Sequence, residues 1–246
     1  MELDEYARIA AVEDEHWWYR STRAVMADLL GPWLGENQTI LDAGCGPGGN
    51  GSWLARHGQV AALDVAPEGL RFVRDRRPEL DPVRGSVTAL PFPDCRFDLA
   101  VAITVVYSVP RDDLAVAELA RVLRPGGALL LIEPAFRSLR RAHDKTVASI
   151  HRYRRRELAA LAVAAGLTIQ RVTYAYSFLT PPAAVLSLTD RLRPRTVSAA
   201  GSDVDRRWLD PVFEPLARLE RRRLRHGDVP FGTSAIVVAT RPTSGA

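Results

Sequence analysis

The 246-residue chain is 47% apolar and 25% charged with five tryptophans, which excludes a disordered chain and allows one domain or a domain with a small subdomain. Two cysteines exclude a disulfide framework, and no run approaches the ~20 apolar residues that span a membrane. Thirty-two of the 33 basic residues are arginine, yet the net charge is only +4, so bulk charge argues little for a nucleic-acid partner.

The acidic N-terminus, MELDEYARIAAVEDE, lacks a signal-peptide pattern, so the expected location is cytoplasmic. Residues 3–30 read as helical, with Leu3, Tyr6, Ile9, Val25, Met26 and Leu29 at helical spacing. The strand TILDA (39–43) runs into the glycine-rich CGPGGNG (45–51) and a short helix ending near His57. QVAALD (59–64) is a second strand, followed by a helix from Pro67 to Arg76. DPVRGSV (81–87) is a weaker third strand and FDLAVAI (97–103) a clear fourth. RDDLAVAELARVLRPGG (111–127) reads as a helix stopped at Pro125-Gly126-Gly127, and ALLLIEP (128–134) as a fifth strand. A helix over 154–167, a strand over 168–178, helical patches at 183–192 and 208–225 around a polar loop (193–207), and a last strand over 234–242 complete the chain. Short apolar runs with little alternation, separated by helices, indicate an α/β fold with a parallel sheet covered on both faces.

The central constellation is ILDAGCGPGGNG with Asp64 ending the next strand. The glycines let the backbone turn sharply and approach a ligand that a Cβ would displace. An acid ending the second strand can accept both hydroxyls of a ribose, and both features face one crevice in a doubly wound sheet. The carboxylate of Asp42 just before the first glycine would repel a pyrophosphate but could pair with an amine or sulfonium. A Walker A loop is excluded because no Lys-Ser/Thr follows.

LDAGCGPG, ALD, GSVTALPFPDCRFDLAVAI and ELARVLRPGGALLLIEP, in succession over residues 38–135, resemble the class I S-adenosylmethionine-dependent methyltransferases. The likeness is strongest to the small-molecule branch of ubiquinone/menaquinone-type and secondary-metabolite enzymes. It implies a Rossmann-like seven-stranded, mostly parallel sheet of order 3-2-1-4-5-7-6, with an N-terminal helical lid (1–36) and a core over 37–178 and 231–242. A helical insert (179–230) before the last strand would set acceptor specificity. Gly44, Cys45 and Gly46 would wrap the methionine part of the cofactor, Asp64 would bind the ribose, and Val65 would lie beside the adenine. Ser86 and Val87 would sit at the adenine edge, and Thr104 would floor the site. Two departures stand out: Ser86 replaces an aspartate common in relatives, and Tyr107-Ser108 replaces a Glu-His pair after the fourth strand.

Methyl transfer needs in-line positioning above all, and a general base only when the nucleophile carries a tightly held proton. RSLRRAHDKTVASIHRYRRREL (137–158) supplies His143, His151 and Tyr153 as base candidates, His151 first because a neutral imidazole suits the role. The alternative is a solvated helix start. The aromatics of YAYSFLTPPAAVLSL (174–188), including Tyr174 and Phe178, could line an apolar acceptor cavity together with His16 and Tyr107, or simply pack the insert.

EHWWYRSTR (15–23) precedes the first strand. At helical spacing His16, Tyr19 and Arg23 share a face, so Tyr19 could cap the cofactor while Arg20 or Arg23 pairs with its carboxylate. Trp17 and Trp18 cannot share a face, so at least one packs inward. The leading expectation is methylation of a small apolar or aromatic acceptor, O-methylation slightly ahead, by a monomer or homodimer. An RNA methyltransferase and an inactive cofactor-binding partner subunit are the alternatives. The histidines show no metal-ligand spacing.

Overall fold

β1 (Gln38–Ala43) is buried along its last four residues and is an interior strand, third in order, of a seven-stranded sheet. The computed structural model describes residues 3–141, 144, 149–192 and 207–243. The other strands are β2 (Gly58–Asp64), β3 (Leu80–Arg84), β4 (Phe97–Ile103), β5 (Leu123–Pro134), β6 (Thr168–Ala175) and β7 (Ser234–Thr240). Their order is β3-β2-β1-β4-β5-β7-β6, with β7 antiparallel to both neighbours and the other pairings parallel. Apolar side chains cover both faces of the sheet, so its strands carry near-continuous Val, Leu, Ile and Ala runs.

The helices are α1 (Leu3–Val12), α2 (Trp17–Leu30), α3 (Gly49–Leu54), α4 (Pro67–Arg76), α5 (Asp112–Val122), α6 (Arg155–Ala164), α7 (Thr180–Leu192) and α8 (Asp210–His226). The single helix expected over 3–30 is two helices. His16 is extended (φ −62°, ψ 136°) and its Nδ1 accepts the Trp18 N–H at 3.2 Å, an N-cap that starts α2 afresh. The helix expected to run to Pro125 ends at Val122. The proline ring disfavours helical backbone at Arg124, and Leu123 is already extended, so Pro125-Gly126-Gly127 lies inside β5. β6 stops at Ala175, short of the expected Phe178, because Tyr176 turns into the left-handed region at φ +61°. The expected loop at 193–206 lies outside the described residues.

Candidate active site

Strand order reverses between β1 and β4, and in such sheets the crevice at the strands' carboxyl ends is where ligands bind. The loop from Gly44 to Gly48 opens from β1 at this point. Gly44 and Cys45 donate their N–H groups to Leu63 O at 2.7 and 2.9 Å, which ties the loop to the end of β2. Gly44 has φ +76°, and a Cβ there would overlap the Val105 methyls, so the loop lies directly on the segment after β4. Gly46 has φ +54° with nothing within 4 Å of an added Cβ: its backbone borders open space. Gly48, at φ +100°, turns the chain into α3.

Asp64 is buried and braces this loop. Its Oδ2 accepts Gly46 N–H at 2.9 Å, while Oδ1 accepts Ala66 N–H at 2.9 Å and the Tyr6 hydroxyl at a longer 3.5 Å. Val65 beside it is 66% exposed, at the open rim. Asp42 is fully enclosed; the Gly51 N–H draws on its carboxylate, but Oδ2 completes no well-formed hydrogen bond. Burial, then the carboxylates of Glu13 and Asp64, push its pKa up to about 7. Burial, with Asp42 and Asp64, also holds the Cys45 thiol well above its usual range, so it stays protonated. Ser86 Oγ pairs with Thr88 Oγ1 at 2.8 Å and accepts Thr88 N–H, which turns the hydroxyl onto its own loop, and Val87 is buried. Thr104 holds a left-handed backbone (φ 53°) immediately after β4, where its N–H reaches Ile132 O at 2.8 Å.

The segment after Thr104 is held by Glu133, the last acid of β5. It is wholly buried and accepts the N–H groups of Val105, Val106 and Tyr107 at 3.2, 2.9 and 3.2 Å. Burial pushes its pKa up to about 8 against the pull of those donors. Tyr107 O in turn accepts the N–H groups of Ile150 and His151 at 3.0 and 2.8 Å, which brings the segment after β5 against the one after β4. His151 stacks on Tyr153 at 5.9 Å, its Nδ1 lies 3.9 Å from Asp112 Oδ2, and its buried Nε2 has no hydrogen-bond partner. Tyr153 donates its hydroxyl to the same Asp112 oxygen at 2.9 Å. Burial, Glu133 and that hydrogen bond raise the Tyr153 pKa far above the neutral range, so the phenol keeps its proton and orients Asp112. His143 lies outside the described residues.

The N-terminal helices cover the glycine loop. Glu13, at the break between α1 and α2, is buried and accepts Gly49 N–H at 2.9 Å, and Arg77 reaches it at 3.2 Å. A Cβ on Gly49 would come within 2.5 Å of Glu13 Oε2, so only glycine admits this contact. Arg23 donates to the Glu13 and Asp14 carbonyls at 2.9 and 3.2 Å and so staples the turn between the helices. Tyr19 packs edge-on against Trp18 and His16; burial, then Glu13 and Glu5, raise its pKa, and Tyr107 lies within electrostatic reach. Trp17 is the buried tryptophan, in an aromatic cluster with Tyr176, Phe178 and Phe213. His16 Nε2 faces Asp210 Oδ1 across 3.8 Å.

The structure thus gathers Asp42, Gly44, Cys45, Gly46, Asp64 and Thr104 at the strand ends, with Tyr107 and His151 in adjoining segments. It does not gather the four expected acceptor residues. His16 and Phe178 join the contacts between α2 and α8, whereas Tyr174 stacks on Phe136 at 5.0 Å and accepts Arg155 N–H beside α6. Sequence reasoning missed Tyr6, Glu13, Asp112 and Glu133. Of these, Glu133 had a signal: a lone acid closing a strand buried on both faces.

The pattern of the family described as "Methyltransferase domain" matches residues 41–131. The fold is that of the class I S-adenosylmethionine-dependent methyltransferases. The chain is 40% identical over 117 residues to a fatty-acid O-methyltransferase of Mycolicibacterium smegmatis, covering 46% of this chain and 40% of that one. It is 36% identical over 142 residues to a malonyl-[acyl-carrier protein] O-methyltransferase of Pseudescherichia vulneris, covering 56% and 55%. The chain therefore spans about half the length of these curated relatives. Among solved structures, the [4+2]-cyclase SpnF superposes with a TM-score of 0.58 at 22% identity, covering 89% of this chain and 81% of SpnF. That likeness concerns the fold alone.

Proposed function

We propose that the protein transfers a methyl group from S-adenosylmethionine to an oxygen of a small, apolar acceptor. The observation that carries this reading is the open space over Gly46, bordered by the loop that Asp64 braces at the strand-order reversal. The residues fit the cofactor on two counts. A Cβ-free backbone borders room for a ligand, and Asp42 is a buried carboxylate next to that loop, with no cationic side chain among the groups that shift its pKa, and so is suited to a cation. Gly44, Cys45 and Gly46 would hold the methionine part, Asp64 the ribose, and Val65, Ser86 and Val87 the adenine side. Tyr19 and Arg23 would close the lid. When bound, S-adenosylmethionine supplies an electrophilic methyl group.

The chain's own contribution is to hold the acceptor oxygen in line and to keep water out. For a hydroxyl acceptor, His151 Nε2 would take the proton, its ring held by stacking on Tyr153 and facing Asp112, which the Tyr153 hydroxyl orients. A carboxylate acceptor needs no base. Both curated relatives named above are O-methyltransferases, one of fatty acids, which supports an apolar acceptor with a reactive oxygen.

Calorimetric titration with S-adenosylmethionine and S-adenosylhomocysteine, wild type against Asp64→Ala, tests the cofactor. Micromolar binding lost in the variant is expected. Methyl transfer to long-chain fatty acids and to phenols, with His151→Asn alongside, then tests the chemistry. The variant should lose transfer to phenols and keep transfer to carboxylates. A protein that binds neither ligand, or binds both and transfers nothing to either acceptor class, would overturn the reading.

A further inference from the structure

α8 has two apolar faces where a helix packed on a domain needs one. Its inner face, with Ala217, Glu220 and Leu224 buried, fixes it to the body: Glu220 accepts the N–H groups of Tyr176 and Ser177, and Phe213 packs on Trp17 at 5.2 Å. The opposite face carries Trp208, Val212, Leu216 and Leu219, at intervals of four, four and three residues. Their exposures are 76%, 54%, 39% and 64%. At helical spacing these four form one stripe running outward from the preceding turn. Arg222 and Arg223 follow it in the next turn, both exposed and neither in an ion pair among the described residues.

We infer that this stripe docks the protein onto an anionic lipid surface. Charge decides between the occupants that an apolar stripe could take. A second copy would have to receive the two guanidiniums, and the outer face of α8 has no free carboxylate for them. Glu214 is taken by Arg20 and Arg218, Glu220 is buried, and Asp210 is turned to His16. An anionic lipid headgroup layer supplies both things the stripe lacks: apolar depth for Leu216 and Leu219, and negative charge for Arg222 and Arg223. Trp208 at one end has the amphipathic ring that settles at such interfaces. The helix has its inner face committed to the fold, so docking requires no unfolding of the insert. This inference is independent of the proposed chemistry.

The test is co-sedimentation of the full chain with vesicles of phosphatidylcholine alone or mixed with phosphatidylglycerol, at low and high salt. The expected result is binding to the anionic vesicles about tenfold above the neutral ones, released by salt. Leu216→Glu/Leu219→Glu and Arg222→Glu/Arg223→Glu should each abolish it. Both variants alter solvated side chains, so their melting temperatures and S-adenosylmethionine titrations should match wild type, which separates failure of docking from failure of the cofactor site. Absence of binding, or binding indifferent to lipid charge, overturns the inference. So does a wild-type dimer in light scattering that Leu219→Glu converts to monomer, since the stripe would then belong to a second copy.

Discussion

Gly46→Ala separates what the glycine loop does for the fold from what it does for a ligand. Gly46 sits at φ +54°, and an alanine held there costs about 1–2 kcal/mol of backbone strain. No protein atom lies within 4 Å of the added methyl, so no overpacking adds to this. In a chain of this size the strain lowers Tm by roughly 2–8 °C. Gly166→Ala is the matched control. It has φ +80° and equally open surroundings, but it lies at the end of α6, away from the crevice. The two variants should therefore lose similar stability. Their titrations with S-adenosylmethionine should diverge: unchanged affinity for Gly166→Ala, and at least a tenfold loss, about 1.4 kcal/mol, for Gly46→Ala, whose methyl takes ligand space. Equal affinity in both variants and wild type would refute the reasoning, because the space over Gly46 would then not be the binding site. Gly44→Ala is no substitute for this experiment. Its Cβ runs into Val105, so poor folding would mask any effect on binding.

Asp42 gives the cofactor reading a pH signature. Its pKa is raised to about 7 by burial, Glu13 and Asp64, and a bound cation beside it would favour the carboxylate and lower that pKa. Affinity for S-adenosylmethionine should thus rise with pH up to about 7 and level off above it, with up to one proton released on binding below that point. Titrations at pH 6 in buffers of different ionisation enthalpy measure the proton, and an enthalpy independent of buffer would count against Asp42 as the partner. Glu133 predicts a slope in stability. Its folded pKa of about 8 lies above the unfolded value, so the stabilisation it gives is complete below the unfolded pKa and is lost as pH rises to about 8. Glu133→Gln removes that loss, so urea denaturation at pH 5.5 and 8.5 should show the variant gaining on wild type at the higher pH. A stability gap that does not move with pH would refute the assignment.

The sheet was legible because its strands are nearly pure Leu, Ile, Val and Ala, and because glycine and proline punctuate them. Errors fell where one residue overrides a smooth pattern. His16 ends one helix by capping another, Pro125 stops α5 a turn early, and Tyr176 leaves β6 through a left-handed turn. The glycine loop and its acids were legible because their spacing is local. Glu13 was not, since its partner Gly49 lies 36 residues away and nothing in EDEH marks which acid turns inward. The roles of Tyr174 and Phe178 were equally hidden. Alternation puts aromatics on one side of a strand or the other, but only tertiary packing shows that one stacks beside α6 and the other against Trp17.

The described contacts also bear on how the N-terminal helices act as a cover. Toward the sheet they are tied through a buried acid, Glu13, to the N–H of Gly49 and to Arg77, and α2 buries Val25, Met26, Leu29 and Leu30 in one core with Ile40, Leu54 and Leu99. Toward the insert they are tied by the Trp17–Phe213 packing and by ion pairs from Arg20 to Glu214 and from Asp28 to Arg221 and Arg225. The half-exposed Arg20–Glu214 pair is worth about 0–1 kcal/mol, and although Asp28 is more enclosed, its two arginines reach into solvent and are screened there, so these pairs alone would not bind α2 to α8. The aromatic cluster does more, because burying one large ring contributes about 1.5–3 kcal/mol and Trp17 touches three others. Breaking the Glu13 contact leaves a buried N–H unsatisfied at about 1–3 kcal/mol, but water reaching an opened cleft would replace the lost partner. The cheaper separation is therefore at the Glu13 turn, where α1 and the residues up to His16 meet the glycine loop, while α2 stays packed on the sheet core and on α8. On that account the cover over the crevice is a composite: α1 and the Glu13 turn can part from the glycine loop, while α2 and the helix bearing the outer apolar stripe hold their place against the sheet core.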